Sequence, residues 1–362
     1  MSQKSHKVLN QTYGNLDAVL LNPRARDNVC DPYIKLKNRC LQLGYTFEDI
    51  NRHDLADARW LVFWDAWLPG ARTPVQRALM RARIRKAGGT SRNTFREALR
   101  RGLDDKLVLF MYEPPSVCPN NFNLEVHKHF STIFTWDPDL VDNQKYFRIY
   151  LPNSTNFASP SPGSFAEKKL LVDISSYKYF DHERGLNDER RRTVRYFETH
   201  YPNDFDLFGY GWNPSFVQYL RKRLMHRTWR REQYPSYKGP IESKADVLPH
   251  YKFSLCYENI LDQKGYVSIK IFDSLRLGCV PVYLGAPDIG DYVDREAFVD
   301  RRQFGSIEEL GRYLSSVGPA EHEQYLSAGR RYLDSDSFRR FLDDNFVDTI
   351  VKVLQLEHHE AI

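Results

Sequence analysis

The chain has 362 residues, of which 41% are hydrophobic and 27% charged, and a formal net charge of +5. That length exceeds one ordinary hydrophobic core and points to two domains, and the composition is that of a soluble globular protein. Five cysteines (Cys30, Cys40, Cys118, Cys256 and Cys279) are an odd number without CxxC spacing, which argues against a disulfide framework or a zinc ribbon.

The opening residues MSQKSHKVLNQTYG carry no apolar signal-type core, and no apolar stretch approaches the length of a membrane span. A reduced, cytoplasmic location is therefore expected, with no transmembrane segment. Aromatic residues make up 14% of the chain, a richness that suits either a sugar- or base-binding cleft or an aromatic core.

In chain order, residues 7–22 read as a strand and turn. Residues 31–45 have helical spacing in Tyr33, Leu36, Cys40 and Leu43, with Gly44 as a stop. ARWLVFWDAW (58–67) is a short apolar run that suits a buried strand. The arginine-rich run RARIRKAGGTSRNTFREALRRG (81–102) follows. We read it as a solvated helix face, because no RNP, zinc-finger or helix-turn-helix pattern accompanies it. A nucleic-acid patch or peripheral contact with an anionic membrane are the alternatives. KLVLFMYEPP (106–115) and FSTIFTWDP (130–138) are two further strands.

LPNSTNFASPSPGSFAEK (151–168) is rich in Pro, Ser and Asn and lacks periodicity, which marks a linker. A second alternating half begins at 168–176 (strand) and continues through 189–202 (helix) and 204–212 (strand and glycine turn). It goes on with 251–259 (strand), 266–278 (helix) and 279–285 (strand). Strands alternating with helices imply parallel α/β sheets. The expected organisation is an N-terminal domain at 1–155, a C-terminal domain at 165–345 and a terminal helix at 346–362.

The densest chemistry lies in YKFSLCYENILDQKGYVSIKIFDSLRLGCVPVYLGAPDI (251–289). Parallel sheets bind ligands at the carboxyl ends of strands and the N-termini of following helices. The strand at 251–257 brings Glu258 and Asn259 to that edge, and the next helix starts with Tyr266, Ser268 and Lys270. Gly285 and Pro287 follow the next strand. A lysine in a first helical turn can join backbone N–H groups in holding a diphosphate. Each element also has a plain reading as a turn cap, a solvated lysine or turn glycines; the combination is what carries weight, and it suits a diphosphate leaving group.

YKFSLCYEN…GYVSIK…VPVYLGAP…FVD resembles the donor-binding signature of glycosyltransferase family 10, the α-1,3/1,4-fucosyltransferases. The likeness is close over 251–300 and weaker at DFDLFGYGWN (204–213) and FMYEPPSVCP (110–119). It implies a GT-B fold, α/β with two Rossmann-like domains and a cleft between them. It further implies inverting transfer of L-fucose from GDP-β-L-fucose to a glycan hydroxyl.

On that resemblance Lys270 and an arginine of the 190–195 run would neutralise the pyrophosphate of the leaving GDP, and Arg191 and Arg195, one helical turn apart, are the choices within that run. Asn259 and Tyr266 match donor-contacting positions, and Glu258 and Ser268 belong to the same motif. Glu113 matches the family's general base, with His127 and His129 as nearby fallbacks. No metal is required for such chemistry, and a divalent ion would at most stimulate it.

One position departs from the pattern: Ile269 stands where the family has a glutamate that holds donor hydroxyls. Another residue takes over that bond, or the donor is a different nucleotide sugar, or the protein is a glycan binder without turnover.

Overall fold

The computed structural model describes residues 6–12, 15–67, 92–156, 163–177, 182–215 and 232–356. Residues 81–91 of the arginine-rich run therefore lie outside the described residues. The chain forms two compact units: residues 1–156 with 340–362, and residues 157–339.

The first unit is built on a six-stranded sheet of β1 (Lys7–Gln11), β2 (Thr46–Asp49), β3 (Ala58–Trp64), β4 (Leu107–Met111), β5 (Thr132–Thr135) and β6 (Tyr146–Arg148). Its order is β2-β1-β3-β4-β5-β6, and every pairing is parallel. A parallel sheet covered on both faces needs continuous apolar strands, and LVLFM in β4 is buried at all five positions. The core runs across the sheet as stacked rings. Trp64 lies over Phe110 at 4.2 Å between centroids, and Phe110 over Phe134 at 4.4 Å.

Helix α1 (Asp31–Gln42) packs on one face with Leu36 and Cys40, while α2 (Thr94–Arg100) places Phe95 and Ala98 in the cluster on the other. Residues 340–356 come back to this unit after the chain has built the other. The returning helix Asp343–Val353 inserts Phe346, Val347 and Ile350 beside Leu36 and Cys40. Its buried Asp343 accepts hydrogen bonds from Lys35 Nζ (3.0 Å) and the Thr155 hydroxyl (3.2 Å).

The second unit holds β7 (Lys169–Ile174), β8 (Phe205–Phe208), β9 (Tyr237–Gly239), β10 (Tyr251–Tyr257), β11 (Val280–Leu284) and β12 (Val299–Asp300). The order is β12-β11-β10-β7-β8-β9, again parallel throughout. From β7 the chain builds outward through β8 and β9, then crosses back to begin β10 on the other side. The strand order therefore reverses between β7 and β10. At such a switch point the two connecting crossovers diverge and leave a crevice at the carboxyl edge.

The longer described helices of this unit are α3 (Asn187–His200), α4 (Ile269–Arg276), α5 (Ile307–Ser316) and α6 (Pro319–Leu333); the returning helix Asp343–Val353 of the first unit is α7. Helix α4 begins later than the 266–278 read from sequence. Tyr266 and Val267 are buried loop residues that precede it, and Ser268 is its N-cap. No described helix is long and apolar enough to cross a membrane.

Candidate active site

The carboxyl edge of β10 carries Glu258, which has no solvent exposure. A buried carboxylate must be paired and hydrogen-bonded on both oxygens, and the start of α4 supplies the partners. The Ser268 backbone N–H donates to Oε1 at 2.8 Å, and the Ser268 hydroxyl donates to Oε2 at 2.8 Å. Lys270 Nζ donates to Oε2 at 2.8 Å and to Ser268 Oγ at 3.2 Å.

Ser268 thus does not cap its own helix; the carboxylate reaching over from β10 does, where the helix dipole favours negative charge. Glu258 fits only because residue 285 is glycine. A Cβ there would lie 2.4 Å from Glu258 Cγ and 2.7 Å from the Tyr283 hydroxyl oxygen, closer than any packing allows.

Lys270 keeps 26% of its side chain exposed while Glu258 has none. The pair therefore presents an ammonium to solvent and hides the carboxylate. Glu258 meets only its own chain here, so its structural effect is to set the position of Lys270 and of the α4 start. Asn259 is buried beside it, its amide 3.4 Å from the Tyr266 hydroxyl. Ile269, the first residue of α4, is half-buried.

The arginines of α3 divide into two groups. Arg190 is buried, and its guanidinium donates to the backbone carbonyls of Tyr257 (2.6 Å) and Glu258 (3.0 Å) and to Asn187 Oδ1 (3.2 Å). It clamps the end of β10. Arg191 and Arg195 lie on another face. Arg191 pairs with Asp188 and sits 5.3 Å from the Tyr177 ring. Arg195 packs 3.8 Å over Tyr234, with bonds to Glu198 (3.0 Å) and the Gln233 carbonyl (2.7 Å). The structure thus brings Lys270, Ser268, Glu258, Asn259 and Tyr266 together and adds Arg190, while Arg191 and Arg195 line an aromatic shelf of Tyr177, Trp212 and Tyr234.

Sequence reasoning also missed Asp173, the penultimate residue of β7, which stands across the switch point from β10. It is completely buried. Oδ2 accepts from the Ser175 hydroxyl at 2.9 Å, and Oδ1 has no hydrogen-bond partner among the described residues. Burial pushes its carboxyl up to about 6, against the opposing pull of Arg190, the Ser175 bond and Lys270. The signal was available: a lone acid inside the apolar run KLLVDI needs a reason.

In the first unit, Glu113 follows β4 and is half-buried. Its backbone N–H and that of Tyr112 both donate to Asp65 Oδ1 at 2.8 Å. Its carbonyl accepts from Asn121 Nδ2 at 2.9 Å. His127 is enclosed, with Nε2 2.7 Å from the Asn121 carbonyl and Nδ1 3.1 Å from the Tyr146 hydroxyl, and burial lowers its pKa. With both ring nitrogens engaged, it holds the loop together and is not placed to take a substrate proton. His129 is half-exposed and lies 3.5 Å from Asp104. Among the described residues no group of three His, Cys, Asp or Glu side chains could hold a metal ion.

Comparison with known proteins bears on the second unit most directly. Residues 213–333 match the family model described as glycosyltransferase family 10 (fucosyltransferase) C-term. An alpha-(1,4)-fucosyltransferase of Arabidopsis thaliana is 38% identical over 81 residues, which is 22% of this chain and 20% of that protein. An alpha-(1,3)-fucosyltransferase of Helicobacter pylori is 32% identical over 74 residues, 20% of this chain and 15% of that one. A GDP-fucose protein O-fucosyltransferase 3 of Canis lupus familiaris is 26% identical over 221 residues, 58% and 41% of the two chains. The matched stretches span less than half the length of these curated relatives.

Two solved structures share the whole architecture. An alpha1,3-fucosyltransferase with GDP superposes with a TM-score of 0.56 at 13% identity, covering 99% of this chain and 95% of that one. Its counterpart with GDP-fucose gives 0.52 at 15% identity, covering 100% and 94%. Such low identity speaks to fold alone, and the fold is GT-B, with each of its two units built on a parallel sheet. The donor-type motif at 251–300 lies inside the family match, so residues 213–333 form a segment of the glycosyltransferase family 10 C-terminal type.

Proposed function

We propose that the protein is a fucosyltransferase that transfers L-fucose from GDP-β-L-fucose, with inversion, to a hydroxyl of a glycan in an α-1,3-type linkage. The observation that carries this reading is the Glu258–Ser268–Lys270 cluster at the β10–α4 junction. It sits at the sheet's switch point and inside the family 10 match.

In this reading the Lys270 ammonium, held in place from behind by Glu258, meets the diphosphate and stabilises the charge that builds up as GDP departs. Arg190 contributes by fixing the β10 end. Arg191 and Arg195 stand further along α3 as secondary cations for the nucleotide. Asn259 and Tyr266 contact the donor. Glu113 acts as the base that removes the acceptor hydroxyl's proton. The reaction needs no metal, because cationic side chains take the diphosphate charge; a divalent ion would only stimulate. The site serves a nucleotide sugar and not nucleic acid, and the protein works in the cytoplasm or against the surface of a membrane.

A second reading keeps the donor and changes the acceptor to a protein hydroxyl. It is favoured by the 221-residue alignment with the dog protein O-fucosyltransferase, the most extended of the three alignments described above.

Calorimetric titration of GDP-β-L-fucose into the purified protein tests the donor. A dissociation constant of about 10 μM, or about −7 kcal/mol, is the expected result. Binding of another nucleotide sugar with no heat from GDP-β-L-fucose would overturn it. Lys270→Ala should weaken GDP by about 10- to 100-fold, the worth of one charge-assisted contact. Incubation with labelled donor and either galactosyl-N-acetylglucosamine or a pool of folded protein domains then separates the two acceptor readings.

A further inference from the structure

Asp65 is the most unusual residue of the first unit. It follows β3 directly, is buried, and takes a left-handed backbone conformation with φ of 64°. Among non-glycine residues those with short polar side chains adopt that region most readily, and at a cost. Its own N–H is donated to the Phe110 carbonyl at 2.9 Å, so the turn is stapled to β4.

One carboxylate oxygen, Oδ1, then receives three bonds: from the N–H groups of Tyr112 and Glu113 at 2.8 Å each and from Asn121 Nδ2 at 2.7 Å. Asn121 extends the lattice. Its Oδ1 accepts the Ala66 N–H at 2.7 Å, its amide also reaches the Glu113 carbonyl, and its own carbonyl faces His127. Both backbone polar groups of Glu113 are consequently fixed by Asp65 and by the asparagine that Asp65 holds.

We propose that Asp65 is the positioning residue for the Glu113 carboxylate and that its negative charge, not merely its shape, keeps the β4 turn in its working geometry. The proposal rests on the reading of Glu113 as the base. An uncharged carboxyl would still accept at Oδ1, but charge-assisted bonds to N–H donors are roughly twice as strong as neutral ones. A base displaced by a fraction of an ångström loses rate steeply.

The charge is also conditional. Burial, with the neighbouring Glu113 carboxylate, raises the Asp65 carboxyl to about 7 in spite of the N–H and amide bonds it accepts. The other titratable or charged groups facing this turn are Tyr33 with Cys30 behind it, Tyr112, and His127 with Tyr146 and Lys145 beyond. Burial drives the two tyrosines upward and His127 downward, so all three stay neutral near pH 7. Asp65 alone of the groups with a displaced carboxyl here changes charge in that range. Turnover should therefore rise as pH increases through the Asp65 titration.

Asp65→Asn keeps an oxygen in the Oδ1 position and removes the charge. In the unaltered full chain, amide resonances of Tyr112 and Glu113 should titrate between pH 5 and 8.5, and in Asp65→Asn they should be flat there. That reading does not depend on knowing the acceptor; flat amides in the unaltered chain, or a titration that persists in the variant, would overturn the proposal.

The kinetic arm uses GDP-β-L-fucose with galactosyl-N-acetylglucosamine. Asp65→Asn should lower kcat/KM about tenfold at pH 8 and progressively less toward pH 6, with the KM for donor unchanged. Glu113→Gln should abolish turnover at every pH. If Glu113→Gln turns over normally, the base reading itself fails. If it is inactive while Asp65→Asn keeps the full rate and pH profile, the base reading stands and the positioning proposal falls.

Discussion

The two units solve the same problem in opposite ways. Each brings an acid to the carboxyl edge of a parallel sheet and buries it under backbone N–H donors. At the β10–α4 junction, Glu258 is matched by a lysine 2.8 Å away. At the β3–β4 edge, Asp65 has no cation within its hydrogen-bond set among the described residues; it leans on two backbone N–H groups and an amide, beside a second carboxylate. The first arrangement gives the buried carboxylate a cationic partner. The second gives it none, and burial raises the Asp65 carboxyl to about 7, so its negative charge depends on pH.

Removing Glu258 should have the largest effect. Glu258→Ala strips the α4 start of its cap, opens a cavity beside Gly285 and leaves Lys270 without its counter-charge. A lysine that already reaches solvent can turn to water, so the cost is set below that of a fully buried broken pair, at about 2–4 kcal/mol. Urea unfolding of the second unit would read it. The double variant Glu258→Ala with Lys270→Met should recover part of this loss, because no lone charge remains. Strict additivity would mean that the two side chains are not energetically coupled, and the contrast between the units would collapse.

The next effect carries the opposite sign. An acid whose carboxyl is raised on folding binds a proton in the folded state at pH values where the unfolded chain has lost it. For Asp65, raised to about 7, stability must fall as pH climbs from the ordinary aspartate value near 4 toward 7, with the full penalty present above. For Asp173, raised to about 6, the same decline ends earlier. Asp65→Asn should therefore stabilise the first unit at pH 8 by up to about 4 kcal/mol, and Asp173→Asn the second by up to about 3, each reduced by whatever hydrogen-bond strength the amide gives up. Both gains should vanish near pH 4. Unfolding midpoints taken across pH would check where each gain levels off, near 7 in one unit and near 6 in the other. A variant more stable yet slower, as expected for Asp65→Asn, is what residues kept for function produce. Destabilisation at pH 8 would show that hydrogen bonding outweighs desolvation at that site.

How much of this could be read from the sequence depended on the range of the interaction. The apolar runs LVLFM and YKFSLCY gave strands because parallel strands buried on two faces need unbroken hydrophobicity. Short strands such as Val299–Asp300 and Tyr237–Gly239 carry too few residues for any period and went unseen. The cluster of Glu258, Ser268 and Lys270 was legible because all three lie within thirteen residues around one strand–helix turn. The choice of Arg190 was not: the sequence pointed to the 190–195 run and spacing on α3 favoured Arg191 and Arg195, and only the packing angle of that helix decides which arginine faces β10. Asp65 and Asn121 were invisible for a related reason. Their partnership joins residues 56 positions apart, and nothing local marks an aspartate that turns left-handed to gather N–H groups from the next strand. The return of α7 to the first sheet is likewise a long-range packing event, written in Phe346 and Ile350 but not in their neighbours.

The smallest expected effect comes from the departure at the α4 start. Ile269 is half-buried at the first position of the helix, next to the carboxylate-capped N-terminus. Ile269→Glu removes some apolar burial and adds an acid where the dipole welcomes one, but where Glu258 already stands. These terms oppose each other, so stability should change by less than about 1 kcal/mol. Donor affinity is the sharper readout. If the donor is GDP-β-L-fucose and its hydroxyls go unpaired at this position, a glutamate should tighten binding by about fivefold, close to the net worth of one hydrogen bond. Unchanged affinity would mean that a different side chain already makes that bond. Weaker binding of GDP-β-L-fucose, with tighter binding of another nucleotide sugar, would show that isoleucine was selected for a different donor. The cationic surface set by Glu258 and Lys270 would then be the shared part of the site, and residue 269 the part that chooses the sugar.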